Sequence, residues 1–441
     1  MSWNDISSFE KKIEDKSISI AIVGLGYVGL PLAMTFAKKG FKVYGYDIDK
    51  RKIESLEKKE NYLDGEGWID DILENTEAFH ASTQVDDAGL HDIIIVAVPT
   101  PADPVTRKPI YDYIESSAKN VGRNLKKGSL VILESTLGPG ITEGMFRKTI
   151  ELTSGLEVKV DFGLGYSPER VNPGDDEHRI ELVPKVVSGI DDTSAAVCAL
   201  IYSRIVPSVH TTPTITEAEL TKLLENTQRD INIALMNEFA KICDIFGVDI
   251  KNVIAAAATK WNFYNISPGC GVGGHCLPDD PWFLIHEIEK RGLTSDLIKT
   301  ARKINDEMPL YTARKARFLM NKKPNGSKIA ILGLSYKSDT SDTRNTPVKA
   351  LVEEMAKMGY TNMTGYDPHV KNVGWIKTDS FENTIKDAEL VIVATPHKDI
   401  MKLSASDMKR LAPNASLIDG RNVFDKLRFL EQDIKYAGIG R

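Results

Sequence analysis

One cysteine in this chain stands where a cysteine has no packing reason to be. Gly273-Gly274-His275-Cys276-Leu277-Pro278 sets Cys276 between glycines and a Pro-Asp-Asp sequence, the composition of an exposed, shaped loop. Cys198 and Cys243 lie in apolar helical runs and read as buried, inert thiols. His275 beside Cys276 raises metal ligation, but no second Cys/His cluster has ligand spacing, so no metal is expected. Cys270 and Cys276 lack a C-x-x-C spacing, which argues against a redox disulfide. A nucleophilic thiolate remains, and beside a nicotinamide it would oxidise an aldehyde through a covalent thiohemiacetal.

A nicotinamide site is itself legible. Gly24-Leu25-Gly26-Tyr27-Val28-Gly29 is G-x-G-x-x-G, directly after an apolar β-branched run and opening a helical stretch. The first glycine makes the turn, the second lets a pyrophosphate approach the backbone, and the third packs helix on strand. Asp47 ends the next strand, where an acid accepts bonds from ribose hydroxyls and repels a 2′-phosphate, so NAD is expected over NADP. A structural turn with Asp47 as a solvated strand end is the plainer alternative. A third pattern is the helical stripe Lys222, Asn226, Arg229 at i, i+4, i+7. On periodicity alone a solvated helix face explains that stripe better; what counts against it is that its helix is expected to lie buried between two domains.

The elements that must position these groups follow from periodicity. Ile18–Val23, Phe41–Tyr46, Ile93–Val98, Leu130–Leu133 and Phe162–Tyr166 read as short buried strands, with Leu30–Lys39 and later stretches as helices between them. That alternation predicts a doubly wound parallel sheet up to about residue 205. Thr216 to Phe246 contains neither Gly nor Pro and reads as one long helix, with Thr216 and Glu219 as its capping box. After the turn-forming NKKPNGS, KIAILGLSYK reads as strand then glycine turn, and with strands at Asn362–Tyr366, Leu390–Thr395 and Ser416–Asp419 it forms a second, smaller α/β block. The predicted division is therefore 1–205, a dinucleotide-binding Rossmann-type domain; 206–322, a helical domain with the long spine; and 323–441, a Rossmann-like domain.

Composition sets the outer bounds. The chain has 441 residues, 42% hydrophobic and 27% charged, with a net charge of −6, the profile of an ordinary globular protein. Mild acidity without basic blocks argues against nucleic acid as a partner. Ser17 to Ala37 carries no charge and is long enough to span a bilayer, yet its glycines and Pro31 suit strand, turn and helix better. No membrane association is expected, and so few cysteines suit a reducing compartment, the cytoplasm.

These motifs coincide with a family. GLGYVGLP at 24–31, VPTP at 98–101, EST at 134–136, YSPERVNPG at 166–174, EAELTKLLENTQRDINIALMNE at 217–238, PGCGVGGHCLPDDP at 268–281 and GLSYKSDTSDTRNTP at 333–347 resemble the UDP-glucose/GDP-mannose dehydrogenase family, in family order over nearly the whole chain. The resemblance is closest to its UDP-N-acetylhexosamine branch. It implies oxidation of C6 of a nucleotide sugar from alcohol to carboxylate, with two NAD and one water, supplying uronic acids for polysaccharide synthesis. It also implies roles residue by residue. Cys276 matches the nucleophile, Lys222 the cation facing the developing oxyanion, Asn226 its partner, and Asp280 a carboxylate that handles protons and water. Thr136 and Glu169 match positions holding the hydrolytic water, with Thr136 also beside the nicotinamide. Gly24, Gly26, Tyr27, Val28, Gly29, Asp47, Lys52 and Thr100 match the NAD site. Arg170, Val171, Arg229 and Gly273 match sugar-nucleotide contacts, while Lys337 and Arg344 match C-terminal residues that close over the site, Arg344 towards the cofactor.

The chemistry coheres. A preorganised cation such as Lys222 lowers the barrier where charge develops on oxygen, by roughly 3 kcal/mol if it acts like one oxyanion-hole donor. Two departures from the glucose members point to an N-acetylhexosamine: Pro173 replaces a second acid, and Lys260 replaces a partner-subunit arginine. YSPER, and the absence of a mannosamine-type H-x-R sequence, favour UDP-N-acetylglucosamine or UDP-N-acetylgalactosamine over UDP-N-acetylmannosamine, with UDP-glucose behind them. Lys260 and the long helix imply at least a homodimer, Lys260 reaching the neighbour's site. Two other readings compete: a two-electron hydroxyacid dehydrogenase with Cys276 incidental, and a non-catalytic sensor of NAD and nucleotide sugar.

Overall fold

The computed structural model describes residues 3, 5–171, 178–321, 324 and 326–441. The chain divides into two compact units: Met1–Glu225 with Trp282–Leu293, and Asn226–Pro281 with Thr294–Arg441. The division falls inside the long helix, which runs without interruption from Ile215 to Phe246.

The first unit carries eight strands: β1 (Ser19–Val23), β2 (Lys42–Tyr46), β3 (Phe79–Ser82), β4 (Ile93–Val96), β5 (Leu130–Leu133), β6 (Gly163–Tyr166), β7 (Lys185–Gly189) and β8 (Val209–Thr211). Their order is β3-β2-β1-β4-β5-β6-β7-β8, all parallel neighbours except the antiparallel pair β6–β7. Alternate side chains of β1 serve opposite cores. Ile20 and Ile22 join the cluster containing Leu30 and Phe36, while Ala21 and Val23 join the one containing Ile114 and Ala118. Both faces are thus covered by helices, which is why the strands read as continuous apolar runs. The order reverses between β1 and β4, and in such sheets the crevice at that switch point takes the ligand.

The second unit repeats the plan with β9 (Ile329–Leu332), β10 (Met363–Tyr366), β11 (Lys377–Thr378), β12 (Leu390–Val393), β13 (Ser416–Asp419) and β14 (Tyr436–Gly438), in the order β11-β10-β9-β12-β13-β14. Here Ile329 and Ile331 face one core, Ala330 and Leu332 the other.

Ser17 to Ala37 is strand, turn and helix, as expected: β1, a turn and the helix Gly29–Lys38 occupy it, and among the described residues no helix is long and apolar enough to cross a membrane. Other expectations are corrected. The long helix is capped by Thr214 and Glu217, not Thr216 and Glu219. Thr214 Oγ1 accepts from Glu217 N at 3.2 Å, and Glu217 Oε2 from Thr214 N at 2.9 Å. Glu219 instead reaches away from its helix, accepting from Gly140 N at 2.6 Å and from Thr142 N at 3.0 Å. Finally, Cys276-Leu277-Pro278-Asp279-Asp280-Pro281 is not loop; it is the start of the helix Cys276–Glu289. Pro278 suits the first turn of a helix, whose early N–H groups have no partner anyway, while Pro281 lies inside the helix.

Candidate functional site

In the first unit the glycine turn is built by three different constraints. Gly24 leaves β1 at φ +94 and donates its N–H to Tyr46 O at 2.8 Å; a Cβ there would lie 2.5 Å from Ala97 O. A Cβ at Gly29 would lie 1.8 Å from Gly24 O, so the helix can close on the strand only with glycine. At Gly26 a Cβ would meet nothing within 4 Å. No protein atom demands glycine there, and open space over the backbone fits the close approach of a pyrophosphate. Val28, the N-cap, makes no side-chain cap bond, so the helix end keeps its amides for an anion. Tyr27 and Val28 lie half-buried on this turn, and Thr100 half-buried in the loop after β4.

Asp47 is engaged within its own turn. Its Oδ2 accepts from Leu25 N at 2.9 Å and Lys52 Nζ at 2.7 Å, and its Oδ1 from Asp49 N at 2.9 Å. A carboxylate has about four lone-pair positions. Three are occupied, so Asp47 ties the turn first and keeps one for a hydroxyl. The residues present therefore fit NAD.

Next to this crevice Thr136 lies half-buried after β5, and Ser135 Oγ donates to Val98 O at 2.7 Å, joining the two loops. Glu169 Oε1 accepts from Arg170 N at 2.6 Å and Val171 N at 2.7 Å; its Oε2 accepts from Lys185 Nζ at 3.1 Å. Burial pushes the Glu169 carboxyl up, but Lys185 and those amides more than offset it and hold it below its ordinary value. Arg170 pairs with Glu225 at 2.8 Å and donates to Pro184 O at 2.9 Å. Pro173 lies outside the described residues. Lys222 is buried on the long helix, 8% exposed, with no ion pair among the described residues.

In the second unit Cys276 is exposed while Cys198, Cys243 and Cys270 are buried. As the first residue of its helix it sits where unpaired N–H groups favour negative charge. The long helix grips this first turn twice. Asn226 Nδ2 donates to Asp280 Oδ2 at 2.5 Å. One turn on, Asp230 Oδ1 accepts from Arg302 Nη1 at 2.6 Å, and the same nitrogen reaches Leu277 O at 3.4 Å. Pro281, four residues after Leu277, has no N–H, so that carbonyl loses its helical donor and Arg302 supplies one. Gly273 is fixed by packing: a Cβ would lie 2.7 Å from the Tyr336 Cβ and 2.8 Å from Asn345 O. Asn345 Nδ2 donates to Gly274 O at 3.2 Å, so the segment carrying Lys337 and Arg344 is held on the cysteine segment. Lys337 is half-buried; Arg344 is exposed and pairs with Asp342 at 2.6 Å. Arg229 and Lys260 are exposed. Asp339, His369 and His397 bring three potential metal donors within 4.8 Å of one another. Both His397 nitrogens are engaged, however: Nδ1 accepts from Asp339 N at 2.9 Å and Nε2 meets Asp367 Oδ2 at 2.9 Å.

Several residues of this region escape sequence reasoning. Lys185 opens a strand buried along its whole length, a charged residue where charge is rarely buried, and that was its signal. Glu134 stands in the EST motif at the end of β5. Asp230 and Arg302 had none, because only the fold brings them together. Arg421 donates to Ala394 O at 3.1 Å, and a Cβ on Gly269 would lie 2.4 Å from its Nη1, so this guanidinium lies against the cysteine segment.

Comparison with known proteins agrees with this layout. Three models of the UDP-glucose/GDP-mannose dehydrogenase family match: the NAD binding domain over 18–206, the central domain over 216–307 and the UDP binding domain over 330–426. The chain is 40% identical over 394 residues to Protein CapL of Staphylococcus aureus, covering 87% of this chain and 91% of that one. It is 36% identical over 407 residues to a UDP-N-acetyl-D-glucosamine 6-dehydrogenase of Pseudomonas aeruginosa, covering 90% and 94%. Among solved structures, the UDP-D-ManNAc dehydrogenase of Pyrococcus horikoshii superposes with a TM-score of 0.88 at 34% identity, covering 96% of this chain and 99% of that one.

Proposed function

The chain belongs to the UDP-glucose/GDP-mannose dehydrogenase family, and we propose that it is an NAD-dependent 6-dehydrogenase of a UDP-N-acetylhexosamine, UDP-GlcNAc or UDP-GalNAc before UDP-ManNAc. The observation that carries the mechanism is Cys276, an exposed thiol at a helix start whose first turn is held to the long helix through Asn226 and Asp280.

NAD, held at the Gly24–Gly29 turn and by Asp47, would supply the acceptor for a hydride in each of two oxidations. In the first, the C6 alcohol is deprotonated and becomes an aldehyde. Cys276 adds its thiolate to that carbonyl, and Lys222 balances the charge that develops on oxygen. The adduct keeps its hydrogen on carbon, loses it as the second hydride, and becomes a thioester on Sγ. Water, held by Thr136 and Glu169, then releases the carboxylate. Arg170, Val171, Arg229, Gly273 and Lys337 bind the sugar nucleotide, and Arg344 lies towards the cofactor. Asp280 assists proton and water transfer. Covalent capture keeps the aldehyde from escaping.

We take residues 1–205, 206–322 and 323–441 as the NAD-binding, central and UDP-binding parts. The enzyme works at least as a homodimer, with Lys260 reaching the neighbour's site; Phe239, Ile245 and Phe246 leave apolar surface exposed on the long helix, and Trp261 beside Lys260 is 92% exposed. A working thiol needs a reducing compartment, so we take the enzyme to be cytoplasmic. UDP-ManNAc is the second reading, supported by the archaeal structure at 34% identity.

NADH release is measured with UDP-GlcNAc, UDP-GalNAc, UDP-ManNAc and UDP-glucose. Two NADH per UDP-GlcNAc or UDP-GalNAc, and loss of turnover in Cys276→Ser, are expected. One NADH per substrate with Cys276→Ser fully active would overturn the mechanism, and turnover on UDP-glucose alone would overturn the branch.

A further inference from the structure

Three charged side chains meet in the interior of the first unit, and only Glu169 has a role in the mechanism above. Lys185, on β7, is 3% exposed; its Nζ lies 3.2 Å from Glu134 Oε1 and 3.1 Å from Glu169 Oε2. The Tyr202 hydroxyl also donates to Glu134 Oε1, and the ammonium sits 5.3 Å from the Tyr202 ring centre. Glu134 Oε2 is buried with no hydrogen-bond partner among the described residues. An arrangement that leaves a buried carboxylate oxygen unmatched costs stability. Packing alone would be served better by apolar residues of the same volume.

The useful consequence lies at Glu169. Of its roughly four lone-pair positions, the two on Oε1 are filled by the amides of Arg170 and Val171, and one on Oε2 is filled by Lys185. Among the described residues one acceptor position is left, on Oε2, and its direction is set by where Lys185 sits. Glu134 in turn fixes Lys185 from the opposite side, and β5, which ends just before Glu134, also leads into Thr136. The two residues assigned to the hydrolytic water are therefore tied through one buried lysine.

We propose that Lys185 is a positioning residue for hydrolysis of the thioester: it clamps Glu169 so that a single acceptor position, on Oε2, is presented to the attacking water. The step balances simply. Water oxygen bonds to the acyl carbon, the C–S bond breaks, the electron pair leaves with Sγ, and the two water protons go to the thiolate and to solvent as the carboxylate forms. The clamp acts before that step, by orienting Glu169, and takes no part in either hydride transfer. This rests on the function proposed above.

The test compares wild type with Lys185→Met/Glu134→Gln, which removes one positive and one negative buried charge together, and with Lys185→Arg, which keeps the charge but moves its donors. Folding is checked by thermal melting and NAD binding. With the UDP-N-acetylhexosamine that wild type turns over, the double variant is expected to give a burst of two NADH per site and then slow about 100-fold in kcat with little change in KM. Intact mass should then show the acyl adduct on the protein, lost when Cys276 is also replaced by Ser. Lys185→Arg is expected to slow hydrolysis less and to accumulate less adduct. Folded variants that both turn over at the wild-type rate without adduct would overturn the clamp. Wild-type enzyme that makes no NADH from any UDP-hexose would instead sink the function itself.

Discussion

The two sheets build the same turn and use it differently. Gly24 donates to Tyr46 O at 2.8 Å, and Gly333 donates to Tyr366 O at 2.8 Å. Both glycines have positive φ, +94 and +84, and both face the backbone of the strand across the switch point: a Cβ would lie 2.5 Å from Ala97 O in one and 2.2 Å from Thr395 O in the other. In each, an aspartate after the second strand reaches back to the turn. Asp47 accepts from Leu25 N at 2.9 Å; Asp367 accepts from Leu334 N at 2.7 Å and Ser335 N at 3.1 Å.

Beyond the glycine the two turns part. The first opens at once into the helix Gly29–Lys38, with empty space over Gly26 and a half-exposed Lys52 as the acid's second partner. The second has no further glycine at those places, and its helix begins only at Pro347. Buried His397 sits on Asp367 at 2.9 Å and on Ser335 Oγ at 3.1 Å, sealing the turn with side chains. A shared backbone device is thus open for a diphosphate in one sheet and closed in the other, and the side chains, not the topology, decide which.

That contrast can be broken most sharply at the glycines. Gly29→Ala should cost about 3 kcal/mol, because its Cβ would meet the Gly24 carbonyl with nowhere to move. Gly26→Ala should leave the melting temperature unchanged yet weaken NAD at least about tenfold, ~1.4 kcal/mol. Thermal melts with NAD titration calorimetry separate the two, and a Gly26→Ala protein that binds NAD normally would mean the open space is not the ligand's seat.

The sealed turn is tested next. His397→Ala strips a buried carboxylate of a partner and should cost about 2 kcal/mol in urea unfolding while leaving NAD affinity untouched. An NAD effect of similar size would contradict the separation of roles.

The smallest effect is in pH. Burial first and Lys126 second hold His91, bonded to Tyr46 at 2.8 Å, down at about 4, below its ordinary 6.5. The stability it contributes is complete above pH 6.5 and lost as pH falls through 4. Asp367 is buried, which pushes it up, but His397 and the turn amides prevail and hold it below its ordinary value, so the second sheet keeps its contribution until more acid conditions. Hydrogen exchange from pH 7 to 4 should therefore show the first sheet loosening earlier, by about 1 kcal/mol after solvent screening, and His91→Gln should flatten that slope.

Legibility followed the same division. The strands of both sheets that are apolar and β-branched were readable, nearly to their ends, because burial on both faces imposes an unbroken apolar run. The edge strands β3, β8, β11 and β14 were not, because Phe79–Ser82, Val209–Thr211, Lys377–Thr378 and Tyr436–Gly438 are short; neither was β7, where Lys185 and Ser188 flank a run of only two valines. The helix at Cys276 was misread as loop, since glycines before it and prolines within it are loop signals in sequence, while only packing showed Arg302 replacing the donor that Pro281 lacks.

The sequence by itself determined that the chain carries two doubly wound sheets, a G-x-G-x-x-G turn suited to NAD, a long helix with Lys222 and Asn226, and one cysteine unlike the other three. Those are local matters, written in side-chain period, turn chemistry and residue type. Only the tertiary structure decided what each charged group is bonded to. It spent Asp47 on its own turn, joined Glu134, Lys185 and Glu169 across three strands and a loop, and set Asp230 on Arg302. The reason is physical. A hydrogen bond or ion pair depends on distance and burial, and residues far apart in the chain acquire both only when the sheets and helices have packed.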